Sequence, residues 1–195
     1  MTHISPVDDK KDLFQINGLL TDSLLENLSK EIVEAIPFTK MEWQEEWERR
    51  KLIVAPGSVL EQIQQHIDSQ AEAIGQALGK TIKNISTIFW LDLPGFTCPA
   101  HFDNPRVDTV MQIYLNDCIN VGTVFYNPQD NEVDIKDDAQ KIHYVGNKVP
   151  GYVRHTFDCV KNTGYVMINN MKQLHGVPTT VDNGLQRLSC YCYLN

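Results

Sequence analysis

The sequence predicts one compact domain of the sandwich or jelly-roll type, mostly β, with helices packed on one outer face. Apolar residues repeat at helical spacing in the first 80 residues, and short β-branched and aromatic runs follow from Thr81 onward. A chain of 195 residues supports one sizeable core, and no linker or internal repeat divides it. We expect a single domain over residues 1–195, with mainly helical support in 1–80 and a jelly-roll core in 81–195.

Two helical segments are predicted ahead of the strands. The first has candidate caps at residues 21–23, a stop at Pro37 and the apolar stripe Leu24, Leu25, Leu28, Ile32 and Ile36. The second begins with the capping-box pattern of Ser58 and Glu61, and Gly79 is its expected stop. Its stripe consists of Leu60, Ile63, Ile67, Ile74 and Leu78. Both stripes are predicted to be packing faces.

Short runs of strand-forming residues between turn signals define the second part of the chain. The predicted strands are Ile85–Leu93, Val107–Leu115, Thr123–Tyr126, Lys141–Val145, Tyr152–Cys159, Tyr165–Asn169 and Arg187–Leu194. The polar, acidic stretch 127–140 is predicted to be a surface loop, and Met41–Lys51, which mixes both charge signs, a solvated amphipathic segment.

Charge and composition exclude several classes of partner. Seventeen basic and 25 acidic residues give a net charge of −8, and no Lys/Arg cluster offers a groove for nucleic acid. The apolar runs are too short to span a membrane, and the N-terminus does not resemble a secretory signal, so a cytoplasmic protein is expected. The cysteines are predicted to be reduced, mostly buried thiols: Cys98, Cys118, Cys159, Cys190 and Cys192.

The stretch PAHFDNPR contains a candidate pair of metal ligands, His101 and Asp103. Residues two apart in an extended segment point to the same side, so the imidazole and the carboxylate converge on one ion. His175 in QLHGVP is the preferred third ligand because it follows an apolar strand and precedes a turn, whereas His143 and His155 compete from within predicted strands. Two histidines and one carboxylate leave coordination positions open, as iron(II) needs for a cosubstrate and oxygen.

Arg187 opens the last predicted strand, where alternation puts it on one face with Ser189, Tyr191 and Tyr193. An arginine on an inward face is costly unless it pairs with an anion, and its planar guanidinium suits a carboxylate. Ser189 is placed to add a hydrogen bond. The alternative is an exposed edge-strand arginine that pairs with an acidic residue such as Asp182.

Tyr114 is a further candidate, because it shares a predicted strand face with Gln112 opposite Met111, Ile113 and Leu115. Its hydroxyl is suited to contact a polar cosubstrate. A buried tyrosine that bonds only to the backbone is the competing interpretation.

The order H-x-D at His101 and Asp103, a distal His175, then R-x-S at Arg187 and Ser189 resembles the 2-oxoglutarate and Fe(II)-dependent oxygenase superfamily. The ending LHGVPTTVDNGLQRLSCYCYLN is similar to that family's last strand, and FQINGLLTDSLLENL is similar to the strand-then-helix entry of its small hydroxylase members. The resemblance implies a double-stranded β-helix, a cupin-like jelly roll, with the metal at one mouth.

The resemblance also implies a reaction. His101, Asp103 and His175 would hold Fe(II), and Arg187, with Ser189 and Tyr114, would bind 2-oxoglutarate. The expected activity is that of a dioxygenase which uses O2 to hydroxylate an unactivated C–H bond and releases succinate and CO2. A carboxylate at position 103, instead of Gly or Ala, favours hydroxylation over halogenation.

Two other classes stay open at this stage: a non-catalytic cupin-like ligand-binding protein, and a divalent-metal cupin enzyme that does not use 2-oxoglutarate. The expected substrate is a small molecule or a peptidyl residue. Trp90 and Asp92, on one strand face, and the cations Arg106 and Arg154 are candidates to bind it, each with a structural role as the alternative.

Overall fold

The computed structural model describes residues 2–31, 33–39, 48–104, 106–127, 152–169 and 173–195. Within these ranges the helices are α1 (Asp22–Ser29), α2 (Val59–Ser69) and α3 (Ala71–Leu78), with one 3-10 turn at Val33–Ala35. The Thr21 side chain accepts a hydrogen bond from the Leu24 amide and caps α1, as Ser58 does for α2 through the Glu61 amide. Gly79 ends α3 with a φ of 67°, as predicted.

The strands of the described residues form two antiparallel sheets that face each other as a sandwich. They are β1 (His3–Pro6), β2 (Leu13–Asn17), β3 (Phe38–Thr39), β4 (Arg49–Leu52), β5 (Ile85–Asp92), β6 (Cys98–His101), β7 (Thr109–Tyr114), β8 (Cys118–Tyr126), β9 (Val153–Cys159), β10 (Thr163–Ile168), β11 (Leu174–Val177) and β12 (Arg187–Leu194). The larger sheet has the order β1-β2-β10-β7-β12-β5-β4-β3, and the smaller one β6-β11-β8-β9.

All three helices lie in residues 1–80, and β1 to β4, which were not predicted, also lie there and extend both edges of the larger sheet. These strands have two to five residues, too few for a clear period-two pattern. The predicted first helix also ends at Ser29 instead of reaching Pro37, and the second is divided into α2 and α3 at Gln70. The predicted strand Lys141–Val145 lies outside the described residues.

Two apolar cores flank the larger sheet. The outer core joins the helices to the sheet and contains the fully buried Ile63 and Ile67 of α2 together with the β12 residues Leu188, Cys190, Cys192 and Leu194. The inner core lies between the sheets and contains Tyr114, Phe125 and Tyr165. The predicted alternation along β7 and β12 is confirmed. Val110 and Tyr114 of β7 and Tyr191 and Tyr193 of β12 belong to the inner core. The residues between them belong to the outer core: Met111, Ile113, Leu188, Cys190, Cys192 and Leu194.

All five cysteine side chains are buried, as predicted. Among the helices of the described ranges, none has the length and apolar character needed to cross a membrane.

Candidate metal centre

The structure brings the three predicted metal ligands together at one end of the sandwich. His101 on β6 and His175 on β11 are direct partners in neighbouring antiparallel strands, and Asp103 follows β6 by two residues. Asp103 Oδ1 lies 3.4 Å from His101 Nε2 and 3.8 Å from His175 Nε2. The candidate ligand atoms all fall within 4.8 Å of one another, so one ion can contact all three.

Gly176 allows the two histidine strands to approach closely. A Cβ atom at this position would lie 2.7 Å from the Cys98 carbonyl oxygen and 3.0 Å from the Ala100 amide nitrogen, both on β6. These contacts are with backbone, which cannot rotate away. The glycine after His175 therefore keeps His175 in register with His101.

Hydrogen bonds to the backbone fix the tautomer of both histidines. His101 Nδ1 lies 2.9 Å from the Pro99 carbonyl oxygen, and His175 Nδ1 lies 2.9 Å from that of Gln173. Each Nδ1 therefore donates its hydrogen to a carbonyl oxygen, and Nε2 is the nitrogen that faces Asp103 and can bind a metal. This is the orientation in which imidazoles bind metals, with the second nitrogen held by an outer hydrogen bond.

The charges at this site suit a divalent cation. Burial opposes ionisation of Asp103, but the neighbouring His175 and His101 and a 2.6 Å hydrogen bond from the Tyr191 hydroxyl lower its pKa to about 2. Burial and the charge of His101 lower the pKa of His175 to about 4. Near neutral pH the site thus contains an ionised carboxylate and a neutral imidazole, both in the form that binds a metal.

His101 differs from His175 in its protonation. Burial alone would lower its pKa, but Cys98 and Asp103 together raise it well above the usual value. A divalent ion at this site would therefore replace a proton on His101, since the metal and the proton need the same nitrogen.

Of the two competing histidines, the one that lies within the described residues does not join this group. His155 lies on β9 with its ring 4.5 Å from that of Phe157, and it is not part of the metal-ligand cluster found among the described residues. His143 lies outside the described residues. Two imidazoles and one carboxylate on one side of an open site match the donor set of non-haem iron(II).

A cavity of about 140 Å³ opens beside the three ligands and contains Arg187, whose side chain is 1% exposed. Nε and Nη1 of Arg187 have no hydrogen-bond partner within the described part of the chain, although Nη1 lies 3.4 Å from Asp92 Oδ2. Burial opposes this charge, but Asp92 raises the pKa of Arg187 above its usual value. The arginine is thus a buried cation with unused donors beside the candidate metal site.

Arg49, at the start of β4, lines the same cavity and was missed in the sequence because the surrounding segment reads as solvated. Its Nε and Nη2 bond to the two carboxylate oxygens of Asp92, and its guanidinium lies 4.1 Å from the ring centroid of Phe96. The prediction of a solvated segment over Met41–Lys51 is therefore wrong for Arg49. One feature of the sequence could have indicated a buried partner for Arg49: Asp92 is a charged residue at the end of the apolar strand β5.

A polar network runs along the inner face behind the cavity. Gln112 donates a 3.0 Å hydrogen bond to Ser189, and Gln112 accepts one of 2.7 Å from the Tyr165 hydroxyl. Ser189 is thus held in place two residues from Arg187 on β12, fully buried and not itself among the residues that line the cavity. Gln112 and Tyr165 line the cavity and are additions to the residues predicted from the sequence.

The Tyr114 hydroxyl is engaged with β8 in this structure. It lies 2.8 Å from Thr123 Oγ1 and accepts a 3.0 Å bond from the Thr123 amide, while its ring lies 5.4 Å from the Arg187 guanidinium. A contact between Tyr114 and a cosubstrate stays a prediction. Thr123 is the member of this pair that lines the cavity.

The other candidate cations lie elsewhere. Arg154 forms ion pairs with Asp8 and Asp12 in the loop between β1 and β2 and bonds to Gln173 Oε1 at 2.9 Å. Arg106 is exposed, and neither arginine is among the cavity residues.

Solved structures share this architecture. A Pseudomonas putida prolyl-4-hydroxylase has a TM-score of 0.62 at 18% identity, with 94% of this chain and 92% of that chain covered. A Trichoplax adhaerens prolyl hydroxylase in complex with a hypoxia inducible factor peptide has a TM-score of 0.64 at 12% identity, with coverage of 95% and 84%. HygX from Streptomyces hygroscopicus, solved with nickel, 2-oxoglutarate and hygromycin B, has a TM-score of 0.58 at 12% identity, with coverage of 94% and 82%.

No protein-family model and no curated protein sequence matches the chain. The structural likenesses establish the fold: the chain has the double-stranded β-helix of the 2-oxoglutarate and Fe(II)-dependent oxygenases. The resemblance read from the sequence is therefore confirmed at the level of the fold, and the His-Asp-His cluster lies within it.

Proposed function

We propose that this chain is a 2-oxoglutarate- and Fe(II)-dependent dioxygenase that hydroxylates an unactivated C–H bond and releases succinate and CO2. One observation supports this most strongly: a His-Asp-His cluster and a buried arginine with unused donors share one cavity. The cluster offers three ligands to Fe(II). The Arg187 guanidinium can donate two hydrogen bonds to the far carboxylate of a keto-diacid that chelates the metal. HygX, which shares the fold, was solved with nickel and 2-oxoglutarate.

Each group of the site has a proposed task. When bound, Fe(II) and 2-oxoglutarate together with O2 supply the oxidation of the C–H bond. His101, Asp103 and His175 hold the metal, and the Tyr191 hydroxyl fixes Asp103 Oδ2 so that Oδ1 faces the histidines.

A second group of residues binds and shields the cosubstrate. Arg187 pairs with the far carboxylate, and Ser189 adds a hydrogen bond from the hydroxyl that Gln112 orients. Tyr114 would join them by exchanging its contact with Thr123 for the ligand. Because Arg187 is almost completely buried, the ion pair forms away from water, where it is strongest.

The proposed substrate class rests on the structural neighbours and on the lining of the cavity. The structural neighbours include prolyl hydroxylases and a protein solved with an aminoglycoside, hygromycin B, so a small molecule and a peptidyl residue are both proposed. The next cavity side chains after Asp103 along the chain are the neutral Asn104 and Val107. With a net charge of −8 the chain is not expected to bind nucleic acid, and no membrane role is proposed.

Anaerobic titration tests this proposal. Adding 2-oxoglutarate to the Fe(II)-loaded protein should give a weak visible absorption band that needs both components. Replacing Arg187 with Gln should weaken 2-oxoglutarate binding on the order of a hundredfold, because the bidentate ion pair with the carboxylate is lost. Fe(II) binding should be retained. The exposed Arg106→Gln is the matched control and should bind normally.

Three results would contradict the proposal. Binding of 2-oxoglutarate that does not depend on the metal, or normal binding by Arg187→Gln, would refute the assigned site. Intact metal binding without succinate formation across a broad substrate panel would favour a ligand-binding protein. A different resident metal after anaerobic purification, with no effect of 2-oxoglutarate, would favour another cupin enzyme.

A further inference from the structure

Three charged side chains form a row beside the cavity, which two of them, Arg49 and Arg187, line. Asp92 on β5 is the strand partner of Arg49 on β4 and of Arg187 on β12. The Asp92 carboxylate is 0% exposed and lies between the two guanidinium groups. The pairing of three adjacent strands thus sets an alternating order of positive, negative and positive charge.

Asp92 is not shared equally between the two arginines. Arg49 contacts both carboxylate oxygens, Oδ1 through Nε and Oδ2 through Nη2 at 3.0 Å. Arg187 Nη1 lies 3.4 Å from Oδ2 without forming a hydrogen bond, and neither Nε nor Nη1 of Arg187 has an acceptor among the described residues. The two-point contact with Arg49 therefore holds Asp92 on the β4 side of the row.

Aromatic rings hold Arg49 in this position. Its guanidinium lies 4.1 Å from the Phe96 ring centroid and 5.1 Å from that of Trp90. Planar guanidinium groups stack well on such rings, so the two-point geometry does not depend on Asp92 alone.

The row carries a net positive charge of one unit, because two arginines outnumber one aspartate. That surplus is what a ligand carboxylate at Arg187 needs. Without Arg49 the net charge of the row falls to zero. The Asp92 carboxylate would then form its ion pair with Arg187 and compete with the ligand carboxylate.

We propose that Arg49 is a positioning residue of the cosubstrate site: it retains Asp92 in a two-point ion pair and thereby keeps the Arg187 guanidinium available for a carboxylate ligand. This inference rests on the proposed function, since 2-oxoglutarate is the ligand concerned. It adds a residue from an N-terminal strand to a site otherwise built from the jelly-roll core.

Direct binding of 2-oxoglutarate to the nickel-loaded full chain, measured by calorimetry, tests the role without turnover. Arg49→Gln should weaken 2-oxoglutarate binding on the order of a hundredfold, as expected when one partner of a buried charge pair is removed. Arg49→Lys should recover part of this loss because it keeps the charge. Nickel affinity, which reports the fold at the metal ligands, should stay within about threefold in every variant.

The double variant Arg49→Gln with Asp92→Asn distinguishes a positioning role of Arg49 from a purely structural one. If Asp92 competes for Arg187 once Arg49 is removed, then neutralising Asp92 should restore most of the 2-oxoglutarate affinity. A merely structural pair would give a double variant that binds no better than Arg49→Gln. Arg50→Gln is the matched control, because Arg50 is the next residue of β4 and also stacks on an aromatic ring, that of Phe38.

Two outcomes would overturn this role while leaving the proposed function intact. One is an Arg49→Gln protein that binds 2-oxoglutarate within threefold of the wild type. The other is a double variant that binds nickel normally but 2-oxoglutarate as weakly as Arg49→Gln. A wild-type protein that binds nickel but no 2-oxoglutarate would refute the proposed function itself, and this role with it.

Discussion

Tyr191 provides a direct test of how the metal ligands are held. Its hydroxyl donates a 2.6 Å hydrogen bond to Asp103 Oδ2, and burial together with the Asp103 charge raises the pKa of Tyr191 well above its usual value. The phenol therefore stays protonated and acts as a donor. Replacing Tyr191 with Phe removes this donor and leaves the ring in place.

The magnitude follows from the kind of bond removed. A buried hydrogen bond to a charged group contributes about 1.5–3 kcal/mol, which corresponds to roughly 10- to 100-fold in a binding constant. Outer partners of metal ligands typically contribute about the same factor to metal affinity. We therefore expect Tyr191→Phe to bind nickel or anaerobic Fe(II) about 10- to 100-fold more weakly than the wild type.

Competition with a chelator of known affinity measures this change. Tyr193→Phe is the matched control, since Tyr193 lies two residues along the same face of β12 with its ring 5.4 Å from that of Tyr191. Its replacement should change metal affinity by less than about twofold. Equal losses in both variants, or an unchanged affinity in Tyr191→Phe, would refute the assigned role of Tyr191.

Three further predictions concern the scaffold. Arg154→Ala should lower the free energy of unfolding by about 3 kcal/mol in urea denaturation, because it removes the buried cation that pairs with Asp8 and Asp12. A loss under about 1 kcal/mol would contradict this. The hydrogen bond from Arg154 lowers the pKa of Asp8, so this ion pair stabilises the fold above about pH 4, and the stabilisation is lost as the pH falls through the pKa of Asp8 in the folded protein. Asp8→Asn should therefore reduce the slope of unfolding free energy against pH in this range. An unchanged slope would count against the pair. Gly176→Ala should separate β11 from β6, since its Cβ would lie 2.7 Å from the Cys98 carbonyl oxygen; nickel titration should show at least about tenfold weaker binding, and normal affinity would show that the strands adjust.

Local patterns in the sequence were sufficient to predict the strand faces of β12 and the caps of two helices. The alternation along β12 placed Arg187 and Ser189 on the inner face and the leucines and cysteines on the helix face, as the structure shows. The capping residues Thr21 and Ser58 were also found, because a cap depends only on its nearest neighbours. These features are set by a few consecutive residues.

The remaining features depend on long-range pairing that no local pattern contains. β6 and β11 have four residues each, yet their pairing is what places His101 opposite His175. Arg49 reaches the cavity only because β4 adds to the sheet next to β5 and pairs it with Asp92. A charged residue near a polar segment reads as solvated until its strand partner is known.

Anomalous diffraction from crystals grown anaerobically with Fe(II) and 2-oxoglutarate would locate the metal and the cosubstrate in the cavity. We expect one iron peak at bonding distance, about 2.0–2.2 Å, from His101 Nε2, His175 Nε2 and a carboxylate oxygen of Asp103. The diacid should chelate that ion and place its far carboxylate on Arg187. An iron peak away from these three side chains, or a diacid bound without contact to Arg187, would contradict the account.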